Sequence, residues 1–145
     1  ELTHVPPKDI AGLVKYARYN GIKLVVVHGE TIAEPVIPGT NAAALEAGID
    51  ILAHPGLITM KDARTAAKRS VCLEITVKKG HSLTNGHVAK TALLAGAKLV
   101  LNTDSHEPGD LITGQKALSA LLGCGLDKSR AAAVLRNSAA LLRKF

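Results

Sequence analysis

The chain has 145 residues, and its 18 Lys and Arg outnumber its 12 Asp and Glu to give a net charge of +6. The length suits a single domain, and the 47% apolar and 21% charged residues exclude a disordered tail as the main interpretation. No apolar run reaches the roughly 18 residues that a membrane helix needs, so no membrane partner is expected. An aromatic fraction of 2% argues against a platform for stacked bases.

The two cysteines, Cys72 and Cys124, lie far apart and in no Cys-x-x-Cys pattern. This spacing argues against a disulfide scaffold and against a thiolate zinc site. The first residues contain no basic segment followed by an apolar one, so no secretory signal is predicted. A cytoplasmic protein is therefore expected.

Four apolar, partly β-branched segments are predicted to form short buried parallel strands. Three of them follow helical stretches that end at Gly21, Gly48 and Gly96, since glycine tolerates the left-handed conformation that closes a helix. The third segment, residues 71–77, lacks this leading glycine. In chain order the segments read IKLVVVHG, IDILAHPG, VCLEITV and AKLVLNTDSH.

Helical patterns lie between and after these strands. They cover about residues 8–20, 41–47, 61–69, 84–95, 110–122 and 128–144. Asp127 is expected to cap the last helix at its N-terminus. Residues 31–40 form a proline-containing loop that we expect over the mouth of a site.

The alternation of strand and helix, at roughly 25-residue intervals, predicts a parallel sheet with right-handed crossovers. Four strands are too few to close a barrel, so the sheet should have exposed edges. Because apolar parallel sheets are normally covered, a missing segment of the same domain or another chain is an expected partner.

Polar side chains end all four strands, at the edge where α/β proteins build their active sites. They are His28, His54, Glu74 and the pair Asp104 and His106. Imidazole and carboxylate groups are ligands for zinc, manganese or iron. A single strand-end histidine is more often a structural residue, but ligand types on four strands would be an unusual coincidence. The sequence therefore predicts a metal site.

Each ligating histidine needs an acceptor for its second ring nitrogen, so that the correct tautomer faces the metal. Glu30 and Glu74 are the candidate acceptors, together with backbone carbonyls.

The sequence resembles the PHP family, named for polymerase and histidinol phosphatase, whose members are metal-dependent phosphoesterases. The segments that carry the resemblance are VVVHGE, DILAHPG, CLEIT and LVLNTDSH, which agree in order and approximate spacing with the later motifs of the family. The resemblance implies an α/β fold, an incomplete distorted (β/α)7 barrel with parallel strands and outer helices. Residues 1–145 would then form a single domain without the N-terminal segment that carries the HxH and TDH motifs.

The resemblance also implies a ligand set. Glu1, His28 and His54 would hold one metal, Asp104 would join Glu1 at a second, and His106 would belong to a third. The complete domain would hold up to three zinc, manganese or iron ions. Because the HxH and TDH motifs supply the remaining ligands, this chain would keep a complete set for at most one metal.

Catalysis would then depend on a water molecule activated by metal, with Asp104 or His106 assisting proton transfer. No serine has a convincing triad arrangement, which disfavours a serine hydrolase. A basic turn, KKGHSLTNGH, follows the third strand. This turn is predicted to bind the substrate phosphate through Lys78, Lys79 and His81. The free amides at the start of the next helix would contribute, with Ser82 or Thr84 as the cap.

Three functions remain open at this point. The leading one is a hydrolase that acts on a small phosphomonoester, as histidinol phosphatase does, or on a nucleotide-like phosphodiester. The alternative is a non-catalytic RNA-binding module that resembles the ribonuclease P protein subunit of this fold, although nucleic acid is a less expected partner than a small phosphorylated substrate. An amidohydrolase ranks last, because no catalytic lysine is evident at a strand end.

Overall fold

The computed structural model describes residues 1–143, which form one four-stranded sheet with six α-helices. The strands are all parallel and stand in the order β1-β2-β3-β4. They are β1 Val26–His28, β2 Ile51–Ala53, β3 Cys72–Thr76 and β4 Leu99–Asn102. The parallel α/β sheet is thus confirmed, whereas a barrel is not, because the described strands form an open sheet.

The helices follow the predicted pattern closely, since glycines and polar caps mark their ends. They are α1 Pro7–Tyr19, α2 Thr40–Glu46, α3 Met60–Arg69, α4 Asn85–Ala95, α5 Gly114–Gly123 and α6 Lys128–Leu142. Asp127 caps α6 as predicted, because its side chain accepts a hydrogen bond from the amide of Arg130. The last predicted helical position, Lys144, lies outside the described residues.

Two helix starts differ from the prediction. Residues 81–84 form a separate 3-10 turn, His81–Thr84, before α4 begins. The segment after β4 forms the 3-10 turn Pro108–Asp110, and the backbone is extended at Leu111. The helix begins only at Gly114, because the Thr113 side chain accepts a hydrogen bond from the Lys116 amide and so fixes its first turn.

The core lies on both faces of the sheet, because successive strand residues point to opposite sides. Leu52, Leu73 and Ile75 belong to the larger buried cluster. Ile51 and Cys72 belong to a smaller cluster that also contains Val100 and Leu141. Within residues 1–143, no helix combines the length and the apolar character needed to cross a bilayer.

Both edges of the sheet carry partners. Beside β1, the Leu2 amide donates to the Val26 carbonyl at 2.8 Å and the His28 amide donates to the Leu2 carbonyl at 3.0 Å. Beside β4, the amide group of Asn137 donates to the Leu99 carbonyl at 2.9 Å, and the Leu101 amide donates to Ser138 at 3.2 Å. The expected exposed edge is therefore covered at β4 by side chains of α6, which satisfy backbone groups that a strand would otherwise pair.

This edge contact predicts a measurable stability effect. Asn137→Ala should lower the free energy of unfolding by about 1 to 3 kcal/mol, because the Leu99 carbonyl loses its donor. Arg136→Ala, on the exposed face of the same helix, is the control and should change it by less than about 0.5 kcal/mol. Urea unfolding measures both. Equal effects of the two substitutions would contradict a specific role for Asn137.

Candidate metal centre

The strand order brings three histidines to one end of the sheet. His28 is the last residue of β1, His54 follows β2 directly, and His81 begins the 3-10 turn after β3. Their exposed fractions are only 4%, 2% and 6%. Because β1, β2 and β3 are neighbours, the imidazoles converge beneath the surface, as the prediction for His28 and His54 required.

Two glycines allow the turns after β1 and β2 to approach each other closely. A Cβ atom at Gly29 would lie 2.6 Å from the Ala53 carbonyl oxygen and 2.8 Å from the Cα atom of Pro55. Gly56 has a φ of +63°, and a Cβ atom there would collide with the Glu30 carbonyl. Larger residues would therefore separate the two strand ends that carry His28 and His54.

The ring nitrogens of the three histidines face one another. His28 Nδ1 lies 3.0 Å from His54 Nε2, and the His54 and His81 ring centroids are 4.5 Å apart. One nitrogen from each ring falls within 4.8 Å of the others, which is close enough to share a metal ion. Within residues 1–143, this is the group of three ligand-type side chains that meets that distance.

Oxygen atoms lie near the outward nitrogen of each ring, within hydrogen-bond distance for His54 and His28 and farther away for His81. His54 Nδ1 lies 2.9 Å from Glu74 Oε2, which also accepts from the His54 amide at 2.7 Å. His28 Nε2 lies 3.4 Å from the Glu34 carbonyl, and His81 Nε2 lies 3.7 Å from Glu34 Oε2. His28 Nδ1 and His54 Nε2 contact each other, and His81 Nδ1 has no partner within residues 1–143, so these three nitrogens are the candidates for binding a shared ligand.

A carboxylate stands beside this group. Glu1 Oε1 lies 3.7 Å from His28 Nδ1. The hydrogen bond with His28 lowers the pKa of Glu1, against the opposing effect of burial. Burial acts to lower the pKa of His28, but its bonds with Glu1 and the Glu34 carbonyl raise it overall. Burial and the neighbouring His54 and His28 lower the pKa of His81.

The residues present fit a divalent metal. Within residues 1–143, His81 Nδ1 is buried and has no hydrogen-bond partner, which is costly unless some other group binds it. Three imidazole nitrogens are ligands that zinc and iron accept, and the Glu1 carboxylate lies beside one of them. The described residues thus contain three histidines able to hold a metal, while the identity and number of ions remain predictions.

His28 also lines a cavity of about 380 Å³, which brings more of the predicted residues together. Its wall consists of Glu1, Thr3, His28, Glu34, Lys78, Asp104 and His106. Asp104 and His106 therefore share a cavity with His28, although they are not members of the histidine cluster. The His106 side chain is 70% exposed, which is unlike the three buried imidazoles.

Other predicted site residues lie elsewhere or act differently. Glu74 contacts His54, as expected of an acceptor that orients the ring. Glu30 does not contact a histidine ring in the same way. Its Oε1 atom accepts hydrogen bonds from the amides of Gly39 and Asn41, at 3.0 and 2.9 Å, and so shapes the loop before α2. Lys79 is exposed and outside the cavity wall.

The basic turn after β3 also differs from the prediction. Thr84 makes no capping hydrogen bond to α4, and His81 lies against His28 and His54 instead of a phosphate corner. The cause is the 3-10 turn His81–Thr84, which directs the His81 ring inward.

Sequence reasoning missed two residues at the site, Glu34 and His4. His4 Nε2 lies 2.8 Å from Glu34 Oε1, and the His4 ring stacks on His28 with centroids 5.6 Å apart. The sequence did offer one signal for Glu34, because the loop at residues 31–40 was expected to lie over the mouth of a site. His4 precedes the first helix and had no comparable signal, because its place depends on the path of that loop.

Comparisons with known proteins show similarity without establishing a family. No protein-family model matches the chain, so the resemblance to the PHP family stays a prediction. An uncharacterised protein of Methanocaldococcus jannaschii is 46% identical over 87% of this chain and 58% of its own length. A protein of Shewanella frigidimarina named as a probable phosphatase is 31% identical over 67% of this chain and 47% of its own length. The chain thus spans about half the length of these curated relatives.

A solved structure shares the fold. A chain in the cryo-EM structure of archaeal ribonuclease P with mature tRNA aligns with a TM-score of 0.79 and 19% sequence identity. The alignment covers 98% of this chain and 65% of that one. At this identity the match shows a common fold.

The geometry predicts that Glu74 tunes metal affinity through His54. Glu74→Gln should weaken zinc binding by about 10- to 100-fold, because the amide no longer supplies a charged acceptor to His54 Nδ1. Asp9→Asn, on the exposed first turn of α1, is the matched control and should leave the affinity unchanged. Competition with a chromogenic chelator measures the dissociation constants. An unchanged affinity in Glu74→Gln would contradict the orienting role.

Proposed function

We propose that this chain is part of a metal-dependent phosphoesterase that hydrolyses a small phosphomonoester or a nucleotide-like phosphodiester. One observation carries the proposal: three buried histidines each place a ring nitrogen within 4.8 Å of the others, and Nδ1 of His81 has no hydrogen-bond partner among residues 1–143. The 31% identity to a protein named as a probable phosphatase supports it. Zinc, manganese or iron is the proposed cofactor.

The residues of the site would have different roles in catalysis. His28, His54, His81 and Glu1 would hold the metal, which when bound supplies Lewis-acid polarisation of a phosphoryl oxygen and lowers the pKa of water. Glu74 keeps the His54 ring in the required tautomer.

Other residues of the cavity wall would bind the substrate. Lys78 contributes a positive charge for the phosphate oxygens, and the exposed imidazole of His106 holds or passes a proton beside Asp104. Because the chain spans only about half the length of the relatives, this activity is proposed for the whole protein, whose further segment would carry the HxH and TDH ligands.

Hydrolysis of para-nitrophenyl phosphate by the full-length protein, with added Mn²⁺ or Zn²⁺, tests this function. His54→Ala should reduce kcat/KM by about 100-fold or more, because removing a metal ligand removes most of the electrostatic stabilisation. His87→Ala is the matched control, since that imidazole contacts the Ile58 carbonyl outside the cavity. Full activity in His54→Ala, with an intact fold by circular dichroism, would overturn the proposal.

The second candidate is an RNA-binding module, and the comparisons support it better than they support the phosphatase. The fold match to the ribonuclease P chain covers 98% of this chain, whereas the phosphatase relative matches 67%. One feature of the surface favours the same candidate. Lys61, Arg64 and Lys68 are exposed along one face of α3, opposite the buried Ala63 and Ala66. They form no ion pair within the described part of the chain.

Salt dependence of RNA binding tests this second candidate. If the α3 face binds phosphates, the triple substitution of Lys61, Arg64 and Lys68 by Ala should reduce the slope of log K against log salt by about 2, at roughly 0.7 for each lost contact with a single strand. Filter binding with structured and single-stranded RNA provides the measurement. RNA binding that is absent or independent of this face, alongside metal-dependent phosphatase activity, would favour the first function.

A further inference from the structure

We propose that Lys78 takes the place of a second metal ion at Asp104 and His106. A metal ion at the three histidines would then lie beside a cavity whose wall contains both His28 and the Lys78 ammonium group. This inference rests on the proposed phosphoesterase function and concerns how the site balances charge. It departs from the ligand set that the family resemblance implies, in which Asp104 and His106 bind metals.

The Lys78 ammonium group lies among the donor atoms that a second metal would need. Its Nζ atom is 2.8 Å from His106 Nδ1 and 3.0 Å from the Asp104 carbonyl oxygen. The carboxylate oxygens of Asp104 and Asp110 lie 4.0 and 3.8 Å away. The Lys78 side chain is only 24% exposed, so water screens these charges incompletely.

His106 Nδ1 has a second contact, since it also lies 2.9 Å from the Asp104 carbonyl oxygen. It either accepts from the Lys78 ammonium group or donates to this carbonyl, because an ammonium group only donates and a carbonyl oxygen only accepts. In both tautomers Nδ1 is engaged within the protein and is unavailable to a metal. A divalent cation would have to displace the ammonium group or approach it within a few ångströms at the cost of charge repulsion.

The backbone around Asp104 is arranged for the lysine. Asp104 has a φ of +46°, a left-handed conformation that non-glycine residues adopt rarely. In this conformation its carbonyl oxygen accepts from Lys78, at 3.0 Å. Asp110 is already engaged by the amides of His106 and Glu107, at 2.8 and 3.3 Å, so this carboxylate serves the turn that follows β4.

The Lys78 ammonium group can also donate a hydrogen bond to a ligand. One of its three protons is directed to the Asp104 carbonyl and a second is within reach of His106, which leaves at least one for a ligand in the cavity. A compact oxyanion such as phosphate would contact this proton in the cavity that His28 also lines. Lys78 would thus provide the second positive charge that other phosphoesterases obtain from a second metal.

Metal counting in the full-length protein tests the inference without an activity assay. Elemental analysis after equilibration with Zn²⁺ should show that His54→Ala loses one equivalent per chain, whereas Asp104→Asn and His106→Ala lose none. Asparagine is the appropriate replacement at position 104, because it tolerates the left-handed backbone. Circular dichroism confirms that each variant is folded.

Phosphate affinity provides the second measurement. Calorimetric titration of the zinc-loaded protein with inorganic phosphate should give an affinity about tenfold weaker in Lys78→Met, because a hydrogen bond to a charged group is lost. Lys90→Met, an exposed lysine on α4, is the control and should match the unsubstituted protein.

The outcomes separate the two proposals. Loss of an equivalent of zinc in Asp104→Asn or His106→Ala would overturn the role of Lys78 and leave the phosphoesterase proposal intact. Zinc retained by His54→Ala would overturn the histidine site itself. Equal phosphate affinity in Lys78→Met and Lys90→Met would also overturn the role of Lys78.

Discussion

The buried contact between His54 and Glu74 is the interaction on which the site depends. Glu74 is 2% exposed, and its Oε2 atom receives both the His54 amide and the His54 ring nitrogen. A carboxylate this deep requires such partners, since an unpaired buried charge would be very costly. By satisfying it, His54 is fixed in position and in tautomer. The same contact joins the ends of β2 and β3, so fold and site share one constraint.

Hydrogen bonds in the turns near His54 and Glu74 also help to position the loop that lies beside His28 and His81. Asn41 is buried and accepts from the Glu30 amide at 3.0 Å while donating to the Pro55 carbonyl at 2.9 Å. These bonds fix the start of the loop that carries Glu34 towards His28 and His81. Hydrogen bonds of the Asn41 side chain to the backbone therefore hold the base of the loop. This explains how the exposed residue Glu34 comes close to the imidazoles of His4, His28 and His81.

Charge balance gives the cavity its chemical character. Three carboxylates, from Glu1, Glu34 and Asp104, line it together with the single ammonium group of Lys78 and the imidazoles. A divalent cation at the histidines would offset the excess negative charge and prepare the cavity for a phosphate. An RNA-binding module would have no evident need for a buried nitrogen without a partner. The basic face of α3, which follows β2, provides a separate surface for polyanions.

The alternation of strand and helix could be predicted from the order of residues, because apolar runs, glycine stops and caps are local signals. The sequence also placed His28, His54 and Glu74 at neighbouring strand ends, since parallel strands finish at one edge. It could not show that His81 joins His28 and His54, that Glu34 contacts them, or that the ammonium group of Lys78 lies beside Asp104 and His106. These contacts depend on the 3-10 turn after β3 and on the loop before α2. Nor could it show that α6 covers the edge of β4. Those features arise from contacts between residues far apart in the chain, and only the tertiary structure decides which of them meet.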